Sequence, residues 1–309
     1  GVRCHRGARR NVAGGRLDRV GPCRLGHRRG GPAGGRDERE RPHHVDEDRV
    51  VVVLDQVGAG EAELPEAGLR RRPFEVRVDA DARGVLRLAA LAREADRGTL
   101  DLDAPVVLIN SFRSIVDGSP YTLNRADDSD DSVYARVGRP VPIRWLASRM
   151  ITHSSNLATN MLLTVVVADT VTTRMRTLGA TRMLVRRGVE DGPAFRAGLN
   201  NVTTAHDLAT VLAAIGTNRA ASKASCAWMR DVLFAQAWND AIPTGLPANT
   251  RIAHKTGNIT AVEHDAALVY PPTDPPYVLV VLTSGVTSQP AAKILIADIA
   301  RVVHAAMTR

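Results

Sequence analysis

The sequence predicts an α+β fold: a helical subdomain plus an antiparallel sheet flanked by helices. Three observations point there. Apolar residues recur at helical spacing through much of residues 85–234. The pattern then changes to strand-like runs, "DAALVY" at 265–270 and "YVLVVLTSG" at 277–285, joined by the proline-rich turn "PPTDPP". The chain closes on one long amphipathic stretch, "AAKILIADIARVVHAAM" at 291–307. Helices in the middle, then a hairpin and a final helix, suit a layered α+β domain.

The elements follow in order. "VLRLAALAREADRG" (85–98) sets Leu86, Leu88, Leu91, Ala92 and Ala95 on one side of a helix that Gly98 can end. "PIRWLASRMI" (142–151) is a second helix with Pro142 near its first turn. "NLATNMLLTVV" (156–166) is a buried third. "TTAHDLATVLAAIG" (203–216) starts on a threonine cap and stops at Gly216, and residues 219–234 form another helix. No internal repeat is present.

Before residue 85 the text is of another kind. Residues 1–84 contain no Ser, Thr, Ile, Lys, Met, Tyr or Trp and hold 14 of the 25 glycines. All but Cys4, Asn11, Cys23 and Phe74 belong to the residues whose codons begin with G or C. In a GC-rich gene, reading one register off brings the third codon bases to the front and yields this composition. Residues 1–84 are therefore expected to be an aberrant Arg/Gly-rich segment, translated out of frame. The alternative is a natural disordered arm, which gives no reason to exclude Ser and Thr. Residues 85–309 are the protein-like domain.

Composition removes several function classes. The chain has 309 residues, 44% hydrophobic and 24% charged, as soluble domains do. Its longest apolar runs, such as "VVVVL" at 50–54, are strand-sized, so no membrane span is expected. The N-terminus shows no apolar core of a signal peptide. Cys4, Cys23 and Cys226 are too few for a disulfide framework or a zinc site. The net charge of +8 comes from arginine spread among 33 acidic residues, so no nucleic-acid partner is expected. "ADDSDD" (126–131) lacks a calcium loop's glycine and spacing and is read as a solvated turn. His254 and His264 flank a strand without metal-ligand partners, and neither a metal nor a cofactor is expected.

Two short motifs carry the chemistry. Only three lysines occur, Lys223, Lys255 and Lys293, and one of them opens Lys255-Thr256-Gly257. On a strand edge, such a lysine supplies charge to a substrate carboxylate, the threonine hydroxyl donates, and the glycine admits a substrate backbone. "THSSNLATN" (152–160) sets Ser154 and Asn156 in a short break between two helices. There they can relay a proton and hydrogen-bond a substrate amide, although a plain helix cap would read the same way.

Together, S-x-N followed about a hundred residues later by K-T-G resembles the class A β-lactamase and penicillin-binding serine hydrolase family. "AREADRGTLDLDAPV" and "HDAALVYP" resemble further family segments. The resemblance implies a β-lactamase/transpeptidase-like fold whose N-terminal strands are lost, leaving a sheet edge exposed, with Ser154 as proton-relay serine and Asn156 orienting the substrate amide. Lys255 and Thr256 would hold the substrate carboxylate, Gly257 would allow close approach, and the Asn258 N–H would join the oxyanion hole. Ser155 stands where the family usually has Asp, which should weaken the loop. Glu190, within "RRGVEDGPAFRAGLNNVTTAHDL" (186–208), is the candidate general base for deacylation, with a solvated loop carboxylate as the alternative. A monomeric, secreted or periplasmic enzyme is implied, acting on a β-lactam or a cell-wall-like peptide.

The nucleophile is missing. The family's S-x-x-K motif falls by likeness at 81–84, where this chain has Asp81-Ala82-Arg83-Gly84. Residues three before the lysines are Ala220, Ile252 and Pro290, so no S-x-x-K exists anywhere. The resemblance therefore implies a serine hydrolase impaired in this chain. Its alternatives are a peptidase or esterase of the same fold, or a non-catalytic pseudoenzyme that binds a carboxylate ligand.

Overall fold

The computed structural model describes residues 50–56 and 84–308. The sequence features at Cys4, Cys23, His43, His44 and positions 81–83 lie outside the described residues. The elements are β1 (Val50–Gln56), α1 (Gly84–Asp96), β2 (Pro105–Val107), β3 (Phe112–Arg113), β4 (Pro120–Tyr121), α2 (Asp131–Tyr134), β5 (Pro140–Pro142) and α3 (Ile143–Thr152). There follow α4 (Asn156–Val165), α5 (Ala168–Arg176), α6 (Gly192–Arg196), α7 (Ala205–Gly216), α8 (Lys223–Phe234), β6 (Arg251–Ile259), β7 (Val262–Tyr270), β8 (Tyr277–Ser284) and α9 (Gln289–Met307). Two 3-10 turns lie at Arg125–Asp127 and Ile242–Gly245.

The α+β architecture is as the sequence indicates. The main sheet runs β1-β8-β7-β6, with β6 at one edge. Strands β6, β7 and β8 form an antiparallel meander. Alternate residues face opposite sides of such strands. On one side Ala253, Ala266, Leu268, Val278, Val280 and Leu282 join the core built with the helices. On the other, Ala267, Val269, Leu279 and Val281 pack under Ile296 and Ala300 of α9.

Several elements depart from the sequence reading, each for a physical reason. Helix α1 was expected to show one apolar side, but it is buried from Gly84 through Ala92, including Arg87 at 2% exposure. It lies between α3, α5, α7 and α8, so a helix so rich in Leu and Ala is covered all round. Helix α8 starts at Lys223 rather than 219, because the Ser222 hydroxyl accepts from the Ser225 N–H and caps it. Helices α5 and α6 were not anticipated. The Lys-Thr-Gly triplet lies inside β6, the edge strand of the sheet. The sheet edge expected to be exposed is covered by β1, which runs parallel to β8 with Val50 opposite Val278. The sheet is therefore mixed rather than wholly antiparallel.

Helix α9 is fixed at close range by Gly245. A Cβ added there would fall 2.0 Å from the carbonyl oxygen of Ala297, so the backbones themselves would have to part. Gly245→Ala is expected to destabilise the domain by about 2–3 kcal/mol, as overpacking does. A urea unfolding midpoint unchanged in that variant would contradict this contact.

Candidate active site at the edge of the sheet

The site is built where the break between α3 and α4 meets β6. Lys255 projects from β6 toward the helices and is fully buried. A buried ammonium must find acceptors. Its Nζ donates to Ser154 Oγ at 2.6 Å and to the Thr256 carbonyl at 2.6 Å. A compact ammonium suits two acceptors that lie close together, whereas an arginine fork would need more width. That accounts for a lysine here in a chain whose basic side chains are nearly all arginine.

Ser154 reaches this position through its backbone. Its φ is +57°, one of four positive values among the described non-glycine residues, and Glu190 at +61° is another. Such backbone costs on the order of 1–3 kcal/mol and gathers at functional sites. Here it reverses the chain after α3 and aims the Ser154 hydroxyl at Lys255. Ser155 then caps α4, accepting from the Ala158 N–H at 3.2 Å. Asn156, the first residue of α4, is half-exposed and donates from Nδ2 to the Asp127 carbonyl at 3.2 Å.

The aspartate-rich turn is not merely solvated. Asp128 accepts from the Ser155 hydroxyl at 3.3 Å and the Leu157 N–H at 2.8 Å. The missing family aspartate at Ser155 is thus offset by a carboxylate supplied from the neighbouring turn. Asp130 caps α2 and pairs with Arg149 of α3. Hydrogen bonding to the charged form, led against the burial of the carboxyl by Arg149, holds Asp130 below its usual range. The repeated Asp before an S-x-N turn was the available signal, and local reading could not assign it a partner.

Glu190 is held on a braced loop. Asn160 of α4 accepts from the Val189 N–H at 2.7 Å and donates to the Val189 carbonyl at 3.0 Å. Asn201 accepts from the N–H groups of Arg186 and Arg187 and donates to the Arg187 carbonyl. Asp191, fully buried, accepts from the Ser114 hydroxyl at 2.7 Å and the Ile115 N–H at 3.0 Å. Asn160, Asn201 and Asp191 were missed, although Asn160 follows Asn156 by one helical turn. Glu190 Oε2 accepts from the Asn124 N–H at 3.0 Å, while its Oε1 is buried with no hydrogen-bond partner. Burial pushes the Glu190 carboxyl above its usual range, against the Asn124 N–H, with Asp127 adding to the rise. Glu190 makes no hydrogen bond to Ser154 or Lys255. It meets one end of the 124–127 stretch and Asn156 meets the other.

Thr256 and Gly257 are buried on β6, while Asn258 is exposed at its far end. Gly84, the last position of the absent S-x-x-K, opens α1 directly against this lysine. A Cβ there would lie 3.4 Å from Lys255 Cε and 3.1 Å from Ile151 Cδ1. Among the described residues no group of His, Cys, Asp and Glu is arranged to hold a metal ion.

Behind β6 lies a second polar layer. His254 Nδ1 and Asp265 Oδ1 are 2.9 Å apart, and Asp265 Oδ2 accepts from the Ile242 N–H. Beside them Glu263 is 2% exposed, with Oε2 unbonded. Burial pushes its carboxyl up to about 7; Lys293 opposes this, and Asp240 and Asp265 add to it.

Comparison with known proteins bears on the family and the fold. A family model described as "Beta-lactamase enzyme family" matches residues 80–307. A β-lactamase from Sphaerobacter thermophilus is 25% identical with a TM-score of 0.62, covering 74% of this chain and 81% of that one. A PBP-A variant solved as an acyl-enzyme complex with penicillin-G is 25% identical with a TM-score of 0.62, covering 74% of this chain and 80% of that one. A β-lactamase from Chitinophaga pinensis, 22% identical, shares the fold with a TM-score of 0.65 over 76% of this chain and 87% of its own. No curated protein matches the sequence significantly.

The raised carboxyl of Glu263 has a stability consequence. The folded state keeps its proton to about pH 7, while the unfolded chain releases it near the ordinary value of 4.5. Stability from this group is whole below about 4.5 and falls as pH rises toward 7. Glu263→Gln is expected to match the parent near pH 4 and exceed it at pH 8, by on the order of 2–3 kcal/mol. Parallel unfolding curves at both pH values would refute this.

Proposed function

This chain belongs to the beta-lactamase enzyme family, and we propose that residues 85–309 carry its serine-hydrolase site in a form impaired for turnover. The reading rests on one observation above the others: the buried Lys255 ammonium lies 2.6 Å from the Ser154 hydroxyl. In the intact family the reaction is acyl transfer to serine, followed by hydrolysis of a cyclic or linear amide. In our assignment Lys255 and Thr256 bind the substrate carboxylate, with Gly257 giving it room. Asn156 orients the amide, and the Asn258 N–H helps stabilise the developing oxyanion. Ser154, polarised by Lys255, passes a proton toward the leaving nitrogen. Glu190, its carboxyl shifted toward the working range by burial, activates the deacylating water.

The impairment follows from residues 81–84. Aspartate and glycine replace the serine nucleophile and its lysine. We attribute this to an out-of-frame reading of residues 1–84, which a resequenced locus with one clean frame would disprove. By family likeness the intact protein is an exported monomer that takes a β-lactam or cell-wall-like peptide. A second reading, a pseudoenzyme that binds such carboxylates without turnover, is favoured by the same replacement. A peptidase or esterase of this fold differs only in substrate.

Nitrocefin hydrolysis and covalent labelling by a fluorescent penicillin test the proposal. The chain as written should show neither turnover nor a label that survives denaturation. A chain with its first 84 residues restored in the alternative frame should show both. Hydrolysis by the chain as written would sink the claim of a missing nucleophile. In the same chain, Lys255→Ala should weaken reversible penicillin binding at least tenfold, since it removes a charged donor. Unchanged affinity, with the variant still folded, would remove the assigned role of Lys255.

A further inference from the structure

A separate cleft of about 640 Å³ lies on the far side of the Glu190 loop, and none of the residues assigned to the active site lines it. Its size is that of a small-molecule pocket. Its floor is apolar, from Phe112 and Leu163, and its walls include Ile115 and Val167, which are 50% and 57% exposed. Large aliphatic side chains at the mouth of a cleft offer an apolar surface to a small ligand.

The polar groups of this cleft are mainly donors. The Arg186 guanidinium makes no hydrogen bond or ion pair among the described residues. Arg113 uses Nη1 on the Gly118 carbonyl, leaving its remaining donors for other partners. The Tyr121 hydroxyl accepts from the Asn160 amide at 3.4 Å, and among the described residues no hydrogen bond uses its own proton. Asp169 is the one anion in the lining, against two arginines. Two guanidinium groups and a hydroxyl donor beside an apolar floor suit a ligand with a carboxylate head and a hydrocarbon or aryl body.

We propose that this cleft is a second, non-catalytic binding site for an amphipathic carboxylate, and that its occupancy tightens the loop carrying Glu190. The connection is short. Tyr121 presses on Gly188 so closely that a Cβ there would meet its hydroxyl oxygen at 2.5 Å. Asn160, which also lines the cleft, holds both backbone groups of Val189, the residue before Glu190. A head group that accepts a hydrogen bond from the Tyr121 hydroxyl fixes that ring against Gly188, and an apolar body over Leu163 steadies the helix that carries Asn160.

Titration calorimetry with 4-phenylbutyrate tests the site on the full chain, and amide exchange tests the coupling. The expected result is one binding event per chain, weakened at least tenfold by Arg186→Glu and several-fold by Tyr121→Phe. Ala168→Trp, which fills the cleft, should abolish it. The Val189 amide should exchange several-fold more slowly in the bound state. No binding at millimolar concentration, binding indifferent to all three variants, or tighter binding of 4-phenylbutylamine would overturn the site. Normal binding with unchanged Val189 exchange would overturn the coupling. Neither readout depends on turnover, so a failure here is separate from a failure of the hydrolase assignment.

Discussion

One buried ammonium group constrains the centre of this structure. Lys255 is fully enclosed, so its charge must be met by oxygen atoms at short range. One of them, Ser154 Oγ, is available only because α3 ends where it does and the next residue turns through a left-handed φ. That turn would be costly if it stood free. It is held by the Ser155 cap, by Asp128 across the turn, and by the Asp130–Arg149 pair that ties the turn to α3. The position of the candidate substrate groups is thus a consequence of satisfying one charge.

Much of the fold was legible, and what escaped follows a pattern. Strands β7 and β8 and the helices α3, α4, α7 and α9 have strong apolar patterning or clear caps, whereas β2 to β5, of two or three residues each, carry no such pattern and were not read. Helix α5, "ADTVTTRMR", is rich in threonine and valine, which favour helix weakly. It exists because Val171, Thr172 and Met175 are buried and it packs against α1, a tertiary cause that no window of sequence contains. Helix α6 has a single turn, begun by the Asp191 cap and Pro193. Helix α1 was read as one-sided because periodicity reports which residues are apolar, not how many neighbours surround them.

In the site, the motif residues were readable and their supports were not. Ser154 and Lys255, 101 positions apart, stand in contact. The residues that fix their surroundings are Asp, Asn and Ser side chains, some with partners 27 to 77 positions away. Such residues are common in loops, and one sequence gives no means of telling a bracing aspartate from a solvated one. The same holds for the Glu190 loop, whose shape depends on Asn160 and Asn201 reaching across it from α4 and from its own far end.

The glycine at the start of α1 bears on how many protons this interior can carry. With Gly84 beside it, Lys255 has no cationic side chain growing from that position. A lysine there would begin within van der Waals reach of Lys255 Cε and bring a second ammonium into the same enclosed space. Two unit charges about 4 Å apart at an effective dielectric of about 20 repel by about 4 kcal/mol, roughly three powers of ten in proton affinity. Such a pair would share its protons unequally, one amine charged and the other neutral and basic. The chain as it stands has one buried lysine in place of that divided pair, and so lacks the built-in proton acceptor that two crowded lysines would create.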